Sequence, residues 1–136
     1  MDLRAKLFAK HHGLVRTREL LAIGYEDETI RISRNYGVLI HVRQGWWALP
    51  ETPEVLLRAW RAGGRLACVS ALAYHGVALE LGDQLHVEVA AGSKGALGAG
   101  VHVHWSSSQH NGDRRAVSVE VALRQAARCS TTVLPR

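Results

Sequence analysis

HVRQGWWALP, residues 41–50, sets two adjacent tryptophans, a turn and a proline within ten residues. Gln44-Gly45 reads as a turn. Val38–Arg43 and Trp46–Leu49 read as the two strands it joins, and Pro50 stops the second. A hairpin of this kind has two uses. It is a wing that carries Arg43 and Gln44 to a DNA backbone, or a cover that seals a small core with indoles. Adjacent strand positions point to opposite faces, so one tryptophan is expected to pack on helices. The other is expected to cover the hairpin or meet the second half of the chain. For both, packing is the preferred reading over direct contact with sugar or phosphate, because an indole offers a large apolar area and one donor.

The residues before the hairpin favour the wing. LRAKLFAKHH, residues 3–12, reads as a short helix with Leu3, Leu7 and Phe8 on its apolar side, and Gly13 ends it. LVRTRELLAIGY follows. Thr17 is expected to cap a second helix, Glu19 suits its positive end, Leu20, Leu21 and Ile23 form its apolar side, and Gly24 stops it. EDETIRISRNYG, residues 26–37, reads as a third helix with acidic residues first and Arg31 and Arg34 late. The tight turn at Gly24 is what a helix-turn-helix requires. Three short helices leading into a hairpin describe a winged helix-turn-helix.

Composition agrees with a nucleic-acid partner. The 136 residues carry 17 Lys+Arg against 12 Asp+Glu, a net charge of +5, and a basic excess favours a polyanion. Arginine usage together with many Ala and Gly also fits a GC-rich genome, so charge alone is weak support. No segment is long and apolar enough to span a bilayer, and the charged N-terminus lacks a signal peptide's apolar core. The expected location is the cytoplasm of a bacterial or phage-infected cell. Cys68 and Cys129 lie in apolar, helix-like surroundings and read as reduced structural thiols.

Pro50, Thr52 and Pro53 read as a linker. PEVLLRAWRAGG, residues 53–64, is an expected helix. Leu66–Val69 reads as a strand, and Ser70–His75 as a short helix capped by Ser70. QLHVEVAA (84–91) and GVHVHWSS (100–107) read as two strands joined by the hairpin loop GSKGALGAG. SVEVALRQAARC (118–129) is a last helix with Ser118 as its cap. The expected fold class is α+β. A winged helix-turn-helix occupies residues 1–52, and a small α/β domain with an antiparallel sheet occupies residues 53–136.

Three patterns invite chemistry and are better read as structure. His102 and His104 share a strand face, with His86 across from them and His110 in the next loop. No cysteine or carboxylate completes an obvious set, so no metal is expected. Ser70 and His75 are too poorly placed on one helix for a nucleophile and base, and no G-x-S-x-G elbow surrounds Ser70. GSKGALGAG lacks the order of a phosphate loop and precedes a strand. No cofactor is expected.

GLVRTRELLAIGY…IRISRNYGVLIHVRQGWWALP resembles the N-terminal winged-helix domain of the AbiEi-type antitoxins of type IV toxin–antitoxin systems. The shared pattern is a small helix leading to Gly24, an Ile-rich third helix with Ile30 ending at Gly37, and the strand Arg43-Gln44-Gly45-Trp46-Trp47-Ala48-Leu49-Pro50. RLACVSALAYHGV and the strand–loop–strand with HVHW are similar to the segments that follow in actinobacterial relatives, so the resemblance covers most of the chain. It implies a DNA-binding regulator whose N-terminal domain represses its operon. In such antitoxins the C-terminal domain counters a cognate nucleotidyltransferase toxin. Longer relatives continue into a nuclease-like domain that this sequence lacks, so a non-enzymatic role is expected. A stand-alone repressor of a phage or mobile element would use the same N-terminal half.

The expected DNA-reading residues are Thr29, Arg31, Ser33, Arg34 and Asn35 on the third helix. Arg16, Thr17 and Arg18 at the start of the second helix, with its backbone amides, are expected to hold phosphate. Arg43 and Gln44 act from the wing. The expected partner is double-stranded operator DNA, with a second copy of the chain or a toxin as further candidates. The acidic start of the third helix, Glu26-Asp27-Glu28, supports the competing reading, a winged-helix domain that binds protein instead.

Overall fold

A computed structural model describes residues 2–93, 98–106 and 112–129. Among them are six helices and two three-stranded sheets, so the protein is of the mixed α+β class. It divides into two compact units, Met1–Leu57 and Arg58–Arg136. The division falls inside a helix, Glu54–Ala62. No described helix is long and apolar enough to cross a membrane.

The first unit begins with α1 (Leu3–Lys10), whose first turn is capped by Asp2 Oδ1 accepting from the Ala5 N–H at 2.7 Å. His12 and Gly13 both take positive φ and reverse the chain. Next come β1 (Leu14–Arg16), α2 (Thr17–Ala22), α3 (Asp27–Asn35), β2 (Ile40–Arg43) and β3 (Trp46–Ala48). The sheet order is β1-β3-β2, antiparallel throughout. The expected hairpin is there, turning at Gln44-Gly45 with Gly45 at φ +81°. β1 was not expected as a strand. Three residues are too few to show alternation, and their apolar pair Leu14-Val15 reads equally well as the approach to a helix.

Two details of α2 differ from the sequence reading. Arg16, not Thr17, is the residue before the helix, and the Glu19 carboxylate accepts its backbone N–H at 2.7 Å. Leu21 is exposed, and only Leu20 of the expected apolar side is fully buried. The core of the unit joins Phe8, Val15, Leu20, Ile30 and Trp47, one each from α1, β1, α2, α3 and β3, with Leu39 from the turn before β2; Leu7, Tyr25 and Leu49 pack against it.

The second unit contains β4 (Arg65–Leu66), α5 (Cys68–Tyr74), β5 (Leu85–Ala90), β6 (Val101–Ser106) and α6 (Val119–Arg128) after the helix α4 (Glu54–Ala62) that crosses the division. Ser118 caps α6 as expected, its hydroxyl accepting from the Val121 N–H. Ser70 does not cap α5. The helix already starts at Cys68, and the Ser70 hydroxyl, buried mid-helix, accepts the His86 N–H of β5 at 2.9 Å.

The expected antiparallel sheet is corrected. Its order is β4-β5-β6; β4 pairs antiparallel with β5, but β6 runs parallel to it. The link 91–100 is therefore a crossover and not a hairpin loop. Ten residues reach far enough to return along a six-residue strand of about 20 Å. Residues 94–97 of that link, His110, and the tail 130–136 lie outside the described residues. Parallel register sets His86 beside His102 and Glu88 beside His104. A hairpin pairing Ala90 with Val101 would have set Trp105 beside His86. Every residue of β5 from Leu85 to Val89 is buried, so both its faces are covered.

Candidate functional site

In the first unit the tryptophans organise the expected site. Trp47 is 8% exposed and joins the core, while its indole N–H donates to Thr17 Oγ1 at 2.9 Å. The Thr17 backbone N–H in turn donates to the Gly45 carbonyl at the hairpin turn, 3.0 Å away. Arg34 of α3 sets its guanidinium 6.0 Å from the Trp47 ring centroid. Trp46 stands opposite Arg16 on one neighbouring strand and Arg43 on the other. Directly paired strand residues share a face, and the Arg16 guanidinium lies 4.8 Å over the Trp46 ring. The start of α2, the end of α3 and the hairpin turn are thereby tied together through β3.

The expected residues separate into two groups. Arg18, Thr29, Arg31, Arg34, Asn35 and Gln44 are exposed; Arg16, Thr17, Ser33 and Arg43 are half-buried. Arg31 pairs with Glu28 one turn earlier at 3.5 Å, both ends well solvated, an interaction of about 0–1 kcal/mol that a ligand can displace. Two of the backbone amides expected to hold phosphate at the start of α2 already have partners. The Arg16 and Thr17 amides are taken by Glu19 and by Gly45. Thr17 is a positioning residue for Trp47.

Two residues on α3 escaped the sequence reading. Ile32 is 43% exposed and Tyr36, directly after the helix, 82% exposed. They stand four apart, so they lie over one another on the solvent side of the helix. Nothing in the local sequence marks them as exposed; only the packing shows that α3 sends Ile30 into the core and leaves these two in solvent.

The second unit holds a further cluster. His86 on β5, His104 on β6, Cys68 at the start of α5 and Cys129 after α6 bring their ligand-capable atoms within 4.8 Å of one another. His86 Nδ1 lies 3.0 Å from His104 Nε2. Cys129 Sγ lies 3.9 Å from the former and 4.0 Å from the latter. His102 Nε2 is 3.6 Å from the same sulfur. Burial, then the neighbouring His102, lowers the pKa of His86 to about 4. Burial, then His86 and His102, does the same for His104. Neither cysteine is in a disulfide. The sequence reading found no cysteine to complete the histidine set. The fold supplies two, from helix ends far away in the chain.

Cys68 is held there by a buried network. Its N–H donates to Gln125 Oε1 of α6 at 2.9 Å, Gln125 Nε2 donates to Glu88 Oε2, and Glu88 pairs with Arg65 at 3.0 Å. Its φ is +53°, a conformation that costs a non-glycine residue about 1–2 kcal/mol. Such strain persists only where its surroundings impose it.

No protein-family model matches the chain, and no curated protein matches it.

Proposed function

We propose that the chain is a sequence-specific, non-enzymatic transcriptional repressor that binds double-stranded operator DNA through a winged helix-turn-helix in its first unit. One observation carries this reading. The order α1-β1-α2-α3-β2-β3 with a β1-β3-β2 sheet ties the hairpin turn to the start of α2 and leaves the polar side of α3 in solvent. α3 has nine residues, about 13 Å of helix, a length suited to a major groove about 12 Å wide.

In this reading Thr29, Arg31 and Asn35 address base edges, Arg31 by the bidentate geometry that suits guanine. Ile32 and Tyr36 offer apolar contact to thymine methyl groups. Arg18, Arg34, Arg43 and Gln44 hold the backbone, and Arg16 with Trp46 supports the hairpin. Ser33, half-buried where the other α3 candidates are exposed, is the weakest of them.

A second reading keeps support from Glu26, Asp27 and Glu28 at the start of α3, all exposed. Their charge opposes phosphate. It suits an antitoxin-type role in which the protein chiefly binds a cognate nucleotidyltransferase toxin.

The test is a gel shift with the full chain on its own upstream intergenic DNA, against random competitor at physiological salt. A discrete shift that survives competitor is expected. Loss of the shift with competitor would leave only generic charge attraction and turn the search to a protein partner.

A further inference from the structure

We infer that Cys68, His86, His104 and Cys129 form a structural zinc site that staples the second unit. Two thiolates and two imidazoles are the donor set that zinc prefers in closed, four-coordinate sites. The spacing of the atoms fits. Zinc bonds of about 2.0–2.1 Å to nitrogen and about 2.3 Å to sulfur, set tetrahedrally, give edges of about 3.3 Å between nitrogens and about 3.6 Å between nitrogen and sulfur. The protein has 3.0 Å for the first and 3.9 and 4.0 Å for the second. Shifts of a few tenths of an ångström bring these three into place, and Cys68 Sγ, within 4.8 Å of them, has to draw in by up to about one ångström to complete the tetrahedron.

Ordinary packing explains the cluster less well. A His–His hydrogen bond accounts for the 3.0 Å contact alone. It does not explain why two thiols from the ends of separate helices converge on the same pair without forming a disulfide, or why Cys68 does so in a left-handed conformation. The surroundings resemble the outer support that metal ligands need. The Arg65–Glu88–Gln125 network ends on the Cys68 amide, and the Ser70 hydroxyl fixes the His86 backbone.

The four ligands come from α5, β5, β6 and the end of α6. One ion would therefore cross-link four elements of a small unit. With four protein ligands no position is left for substrate, so the role is structural and not catalytic. His102, 3.6 Å from Cys129 Sγ, is a neighbour outside the set. Zinc binding here does not depend on the DNA reading, since all the ligands lie in the second unit.

The test uses the full chain, purified under reducing conditions and stripped with chelator, then titrated with cobalt(II) and with zinc(II) against a chromophoric zinc indicator. Uptake of a single ion per chain is expected. The cobalt form should show the intense visible bands of tetrahedral coordination and a thiolate charge-transfer band in the near ultraviolet. Cys129→Ser should weaken zinc binding by more than the ~100-fold that loss of an outer partner can cost. His102→Ala should bind as the parent does. Failure of the unaltered chain to take up either ion would overturn the site, as would a cobalt spectrum without thiolate charge transfer. Because these two readouts need no variant, misfolding of a variant cannot mask the result. Loss of binding in His102→Ala but not in His104→Ala would overturn the ligand set.

Discussion

Arg31, in the middle of α3, and Arg18, in the first turn of α2, are both exposed arginines of the first unit, yet they are expected to act differently on DNA. Arg31 projects from α3 and is held only by a solvated pair with Glu28. Arg31→Ala should cost about 1–3 kcal/mol on the operator and much less on random DNA. Arg18→Ala should weaken both alike. Titrations of both variants on both duplexes read this out, and equal losses for Arg31→Ala would remove its base-reading role. Trp47 is a residue of the opposite kind, nearly buried and hydrogen-bonded to Thr17. Trp47→Phe leaves the hydroxyl without its donor and opens a small void. Urea denaturation should show a loss of about 1–2 kcal/mol.

The two helices of the proposed DNA-binding motif are held by different means. α2 is fastened at its start by Glu19 and by the hairpin turn. α3 is fastened by Ile30 and by the turn into Leu39, which leaves its other side in water. Ile32→Ser and Tyr36→Ser should therefore lower operator affinity while leaving the melting temperature nearly unchanged. A drop in melting temperature with unaltered affinity would mark these two as packing residues instead. In the second unit β4 and β5 approach closely at Gly64. A Cβ there would overlap the Glu88 carbonyl of β5. Gly64→Ala should destabilise by about 1–3 kcal/mol, seen as a lower urea midpoint.

The net charge of +5 bears on affinity through counterion release. The logarithm of the binding constant should fall linearly with the logarithm of salt concentration. Removing one arginine proposed to contact phosphate, such as Arg43, should reduce that slope by about 0.9. An unchanged slope for Arg43→Ala would take the hairpin out of the interface. Footprint length separates the two assemblies open to the chain. A dimer protects paired half-sites a whole number of helical turns apart, whereas a single copy protects one asymmetric site.

Much of the first unit was legible because its signals are local. Glycines close each short helix, the charge order of residues 26–37 follows the helix dipole, and Gln44-Gly45 marks the turn between two short strands. The start and type of α1, α3 and the hairpin follow from such neighbours in the chain. The third strand, β1, does not, because three residues become a strand only when Trp46–Ala48 arrives to pair with them. In the second unit the alternation in QLHVEVAA and GVHVHWSS announces two strands but not their relative direction. Period two is the same in parallel and antiparallel pairs. Direction decides which residues meet. The parallel register gathers His86, His102 and His104, and the ends of α5 and α6 add Cys68 and Cys129. No spacing rule along the chain links those five positions. Elements and their order were thus determined by the sequence through short-range physics, and the histidine–cysteine cluster was decided by tertiary structure, because only long-range pairing brings its donors within bonding reach.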